Sequence, residues 1–153
     1  MIQRIQTVYF LIAALLVSVT LFGTDVFSFV QGETYHASAY HFFKESEPLT
    51  KMDFWMLSAI QIIFALMIIF SFKMRHRQIF LGWILFLLNI LSSAWMVLGA
   101  NVKMIEVAKN MKAQDLSFGF AFYVHAAAFI FVFLGIRGVR KDKKTIDSLN
   151  RLR

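Results

Sequence analysis

From Phe118 to Arg153 the chain reads "FGFAFYVHAAAFIFVFLGIRGVRKDKKTIDSLNRLR". The first part, Phe118 to Ile136, holds no Asp, Glu, Lys or Arg, while residues 137–153 hold seven Lys or Arg. A helix rises about 1.5 Å per residue, so the uncharged part is long enough to cross a hydrocarbon layer of about 30 Å. Lys and Arg that flank such a crossing stay on the cytoplasmic side during insertion. The junction at Ile136–Arg137 therefore predicts both a membrane span and its orientation. It says nothing of a reaction.

Three further runs of the same kind lie upstream. They are Ile5 to Gly23, Phe54 to Phe72 and Ile79 to Ala100, and none carries an Asp, Glu, Lys or Arg. Across 153 residues 59% are hydrophobic and 16% charged, far from the balance of an ordinary soluble domain. Backbone in lipid has no water to bond, so each run is expected to be helical. The expected fold is a single all-α integral membrane domain with four transmembrane helices at 5–23, 54–72, 79–100 and 118–136. The first run follows the basic start "MIQR" but is long, and no A-x-A-like cleavage site follows Gly23, so a retained helix is favoured over a signal peptide.

Charge sets the topology. Arg4, Lys73, Arg75, Arg77 and the seven basic residues of the tail, eleven in all, fall on one side. Lys44, Lys51, Lys103, Lys109 and Lys112 fall on the other. Both termini are thus expected inside, with loops 24–53 and 101–117 outside. Trp55 and Trp95 then sit near the outer interface and Trp83 near the inner one. Cysteine is absent, which excludes disulfides, thiolate metal sites and thiol relays.

The outer loop 24–53 alternates at its start and then runs "TYHASAYHFF", which predicts a small extracytoplasmic β-hairpin turning at Gly32–Glu33. "KESEPLTKMD" reads as an irregular approach to the second helix. The loop 101–117 lacks Gly and Pro and spaces Ile105, Ala108 and Met111 by threes, so the third helix is expected to continue into it. In the tail, Ile146, Leu149 and Leu152 recur by threes and predict a short amphipathic helix with a basic face.

Within the runs, Gln61, Asn89 and His125 are the strongly polar residues, supported by Ser18, Ser58, Ser92 and Ser93. They could meet as one polar layer between the second, third and fourth helices. A proton-relay or binding site centred on His125 is weighed against plain interhelical hydrogen bonding, which is preferred. A Ser58–His125 hydrolytic pair lacks a nucleophile motif and a visible orienting acid, and a lone buried His cannot ligate haem from both sides. His36 and His41 with Glu33, Glu45, Glu47 and Asp53 match no metal-ligand spacing and read as solvated strand residues. No catalytic, cofactor-binding or metal-ligating residue is expected.

The inner flank forms a basic patch of Arg75, Arg77, Arg137, Arg140, Lys141, Lys143, Lys144, Arg151 and Arg153. Each cation near an anionic leaflet contributes about 1 kcal/mol, so anionic headgroups at the cytoplasmic face are its expected partner. Nucleic acid is not expected, ribosomal RNA at the tail being the one exception left open. For close packing, Ala14-x-x-x-Ser18 and the Ala126–Ala128 patch allow helices to approach.

With these segments in view, "MIQRIQT" at 1–7, "RHRQI" at 75–79 and "IRGVRKDKKTIDSLNRLR" at 136–153 resemble a family of small four-helix inner-membrane proteins from Bacteroidota, classed as a domain of unknown function. Arg137, Gly138, Arg140, Lys141, Asp142 and the closing Leu149, Arg151, Leu152 and Arg153 carry most of the resemblance. It implies a bacterial inner membrane with N-in, C-in topology and no transferable activity. The expected function is a non-enzymatic accessory or structural subunit of a larger inner-membrane complex, contacting partners through its helix faces, outer hairpin and basic tail. The alternative is a small oligomeric transporter or channel lined by Gln61, Asn89 and His125.

Overall fold

The structure, a computed structural model, describes residues 3–31, 33–108 and 114–151. Helix α1 (Gln3–Ser18) tightens into a 3-10 turn at Val19–Phe22. Gly23 ends it with φ +74, a left-handed conformation that glycine adopts without strain. Four strands follow: β1 (Phe27–Gln31), β2 (Glu33–Ala37), β3 (His41–Lys44) and β4 (Glu47–Lys51). Then come α2 (Phe54–Phe70), α3 (Arg75–Ala108), a fifth strand β5 (Gln114–Phe118) and α4 (Phe120–Arg151).

The all-α expectation is therefore overturned. Beside the four helices stands a five-stranded antiparallel sheet in the order β4-β3-β2-β1-β5. The hairpin of β1 and β2, closing with Gln31 opposite Glu33, is only its centre; Gly32 itself lies outside the described residues. "EPLTK" is a strand rather than an irregular approach. Its exposure along the whole length and its Pro48 suit a sheet edge, where a missing N–H costs no ladder bond. The β3–β4 turn announced itself poorly because it uses Glu45–Ser46 without glycine, and Glu45 takes the left-handed φ of 53. In the loop 101–117 the helix does continue, as α3, to Ala108. Residues 114–118 then pair with β1, Phe27 opposite Phe118 and Ser28 opposite Ser117. A partner some ninety residues away supplies that strand's backbone bonds, and nothing local encodes it. Met111, Lys109 and Lys112 lie outside the described residues. The tail is the continuation of α4 rather than a separate helix.

Among the described residues, three helices are long and apolar enough to cross a membrane: Ile5–Phe22, Arg75–Val107 and Phe120–Ser148. Helix α2 is the most apolar of the four but has 17 residues. The helices pack as a ring in which α1 touches α2 and α4, and α3 touches the same two.

The interior divides into two clusters. One joins Phe10, Ala13, Ala14 and Val17 of α1 to Ala65 and Ile68 of α2, Leu85 of α3, and Ala128, Val132, Ile136 and Val139 of α4. Gly135 lets α1 approach, because a Cβ there would collide with the Phe10 ring. The other joins Phe27, Phe29, Ala37 and Phe42 of the sheet to Phe54 and Ala121 at the starts of α2 and α4 and to Met96 and Ala100 of α3. Stacked and tilted rings connect Phe29, Tyr35, Phe42 and Phe27. Backbone bonds from Gly119 N to Val26 O (2.8 Å) and from Ala121 N to Asp25 O (3.2 Å) fasten the start of α4 beneath β1.

Candidate functional site

Along every helix a polar residue separates the two clusters. On α2, Ser58 and Gln61 lie between Phe54 and Ala65. On α3, Asn89 and Ser92 lie between Leu85 and Met96. On α4, His125 lies between Ala121 and Ala128, and Thr20 follows Val17 at the end of α1. Each of these polar side chains is buried. Desolvated polar atoms need partners, and here they mostly find one another.

The bonds form a chain. Asn89 Nδ2 donates to Gln61 Oε1 (3.1 Å), and Gln61 Nε2 donates to Ser92 Oγ (2.8 Å). Ser92 Oγ lies 2.6 Å from His125 Nε2 and 3.1 Å from the Asn89 carbonyl oxygen. With the single Ser92 proton directed to that carbonyl, Nε2 carries a hydrogen and donates to Ser92. His125 Nδ1, buried and without a hydrogen-bond partner, is then a bare acceptor rather than a stranded N–H. Beside the chain, Thr20 Oγ1 donates to Ser58 Oγ (2.9 Å), and Ser58 donates to Phe54 O. Ser93 bonds back to Asn89 O, and Ser18 to Leu15 O.

Gln61, Asn89 and His125 thus occupy one constellation, and its hub is Ser92, which the residue pattern ranked only as support. Ser58 does not reach His125 as a nucleophile would; its partners are Thr20 and Phe54. The void beside Gln61 and Asn89, walled by Ala13, Ala14, Val17, Ala65, Leu85 and Val132, is too narrow for a water molecule. The arrangement can hold helices in register.

The basic residues spread over two helices. Arg77, Arg137, Arg140, Lys141 and Lys144 are exposed, and Arg75 and Lys143 are half-buried. Arg140 stands 5.1 Å over the Trp83 ring, a cation–π contact that ties α4 to α3. Arg151 closes α4, and Arg153 lies outside the described residues. Three buried polar groups at this end went unforeseen: Gln78, whose Nε2 donates to Ile68 O (3.0 Å), Gln6 and Asp142. Asp142 Oδ2 and Gln6 Nε2 have no hydrogen-bond partner among the described residues. In the sequence Asp142 stood out only as part of the family resemblance; its burial follows from the face α4 turns inward, one turn beyond Val139.

At the other end, Tyr40 stacks on Trp55 with ring centres 6.2 Å apart and donates from its hydroxyl to Leu21 O (3.0 Å). Lys44 pairs with Glu33 at 2.6 Å, and His36 stacks on Phe43. Among the described residues no group of three or more His, Asp or Glu is arranged to hold a metal ion.

No curated protein matches the chain. A family model described as "Domain of unknown function (DUF4293)" matches residues 2–152, essentially the whole sequence, and the chain belongs to that family.

Proposed function

We propose that the protein is a non-enzymatic accessory subunit of a larger inner-membrane assembly, with both termini in the cytoplasm and the sheet outside. The observation that carries this reading is the extension of α3. Its apolar run ends at Ala100, yet Val102 and Ile105 beyond it are 60% and 69% exposed and continue the exposed face of Leu98. Lipid accounts for exposed apolar groups within the bilayer, and α2 is long enough for a fourth, thin crossing. At about 1.5 Å per residue the 34 residues of α3 outrun a hydrocarbon layer of about 30 Å. On this reading Val102 and Ile105 stand beyond it, where uncovered apolar surface marks a protein contact.

Two further features favour the same reading. The basic inner flank suits the cytoplasmic leaflet. Asn89, Gln61, Ser92 and His125 bond mostly to one another, and the void beside Gln61 and Asn89 has no room for water, which favours a packing role over a carrier built around them.

Native electrophoresis after in-cell cross-linking, at natural expression, tests the proposal. The chain is expected to run in a species well above one copy plus its detergent, and Val102→Glu should dissolve that species while leaving the protein in the membrane. A species of single-chain size overturns it. Because the chain has no cysteine, Thr34→Cys and Thr145→Cys report sidedness cleanly. An impermeant maleimide should label position 34 in intact spheroplasts and position 145 only after lysis.

A further inference from the structure

Where the sheet meets the start of α2, a groove of about 630 Å³ is lined by Tyr40, His41, Lys51, Asp53, Trp55 and Met56, among others. Sheet register builds it. His41 is the cross-strand partner of Lys51, so the two side chains emerge on one face as neighbours. Met52 N donates to Tyr40 O (2.7 Å) and Trp55 N to Ala39 O (3.3 Å), which fold the start of α2 against the β2–β3 connection and place Asp53 beside them. Lys51 and Asp53 are exposed, and neither forms a salt bridge among the described residues. Asp53 stands at the N-cap of α2 but makes no side-chain capping bond, so its carboxylate is not engaged by the helix.

Below the groove, the outer face of α2 shows an unbroken apolar stripe. Met56, Ile60, Ile63 and Met67 recur at helical spacing and are each 41–57% exposed. A lysine beside an imidazole, a free carboxylate and an aromatic ledge thus sit at the head of an apolar track about 17 Å long.

We propose that this groove seats the headgroup of an aminophospholipid of the outer leaflet. The phosphate lies toward Lys51 and His41, the ammonium donates to Asp53, and an acyl chain follows Met56, Ile60 and Ile63. The charge pattern selects the headgroup. An anionic lipid without an amine leaves Asp53 facing a negative charge, and a quaternary ammonium has no N–H to give the carboxylate. The track selects a lipid over a free phosphoamine. The proposal rests on the membrane reading above, and needs no partner subunit.

The test titrates the purified, delipidated full chain with phosphatidylethanolamine, phosphatidylglycerol and phosphatidylcholine of equal chain length, followed by native mass spectrometry. Phosphatidylethanolamine should bind about tenfold more tightly than either, the scale of one charge-assisted hydrogen bond. Asp53→Ala should erase that preference, and Lys51→Ala should weaken all three lipids. Lys44→Ala, which removes the cation already paired with Glu33, should change nothing. Soluble glycerophosphoethanolamine should not compete. Equal affinity for the three lipids, a preference that survives Asp53→Ala, or competition by the soluble headgroup overturns the proposal. Helical circular dichroism of each variant checks the fold, which these exposed positions should leave intact. Alkaline carbonate extraction separates the two readings: a chain released from membranes defeats both, whereas a retained chain without lipid preference defeats only this one.

Discussion

The two buried clusters are built on different terms. The helix-bundle cluster sets a single ring, Phe10, among alanines and branched side chains, where the apolar stretches of the four helices lie against one another. The sheet-side cluster has its own alanines and methionines but is centred on four rings, Phe27, Phe29, Phe42 and Phe54, drawn from segments that tertiary pairing brings together. In the bundle, burial is a matter of close approach, and outward faces stay as apolar as inward ones: Leu15, Ile63, Leu87 and Ile130 are all more than half exposed. In the sheet, inside and outside differ in chemistry. Phe27 and Phe29 face in, while Ser28 faces out and shares a hydroxyl bond with Ser117 (2.9 Å). The contrast is what two solvents would produce. Lipid asks nothing polar of an exposed helix face, whereas water rewards alternation along a strand.

That division can be broken most directly at its centre of mass on the sheet side. Phe27 is fully buried, with ring centres of Phe42 and Phe54 at 6.3 and 6.4 Å. Phe27→Ala should cost roughly 3–5 kcal/mol, the range for emptying an aromatic core site. Hydrogen exchange should then show the strands opening while the helices keep their protection. Equal loss of protection in both regions would mean that the clusters are one cooperative core.

The bundle should instead be sensitive to added volume. A side chain at Gly135 meets the Phe10 ring, so Gly135→Val should lower stability by about 1–3 kcal/mol. Thermal unfolding in detergent measures this, and an unchanged midpoint would show that α1 and α4 can separate freely. The polar layer between the clusters comes next in size. Ser92→Ala strands Gln61 Nε2 and His125 Nε2, at a cost of about 1–2 kcal/mol for two interhelical bonds in an apolar setting. Restored stability in the Ser92→Thr variant would identify the lost hydroxyl as the cause. The smallest effect belongs to the basic end of the bundle, where Arg140→Gln removes the cation over Trp83 and should cost about 0.5–1 kcal/mol. Trp83 fluorescence should report it, and an unaltered spectrum would detach Arg140 from the ring.

Much of the bundle was legible from residues alone because its signals are local. Long uncharged runs end at charged turns, and Gln61, Asn89 and His125 stand out against them. The sheet was only partly legible. The β1–β2 alternation carried the centre, but β4 hid behind Pro48 and a turn with no glycine. Strand β5 lay just past a helix, in a stretch without Gly or Pro. Strands gain their backbone partners from elsewhere in the chain, so single-segment composition underdetermines them. The hub role of Ser92 was equally hidden, since a serine on an apolar helix most often bonds its own backbone, as Ser93 and Ser18 do here.

By itself the sequence determined which segments are helical, that their faces are apolar all round, and that cations gather at one end, because each of these properties is written in contiguous residues. Only the tertiary structure decided that five strands close over the helix ends and that one serine joins Gln61 to His125. It also decided that His41, Lys51 and Asp53 share a groove. Those outcomes depend on pairing register and helix rotation, which set distances between residues far apart in the chain.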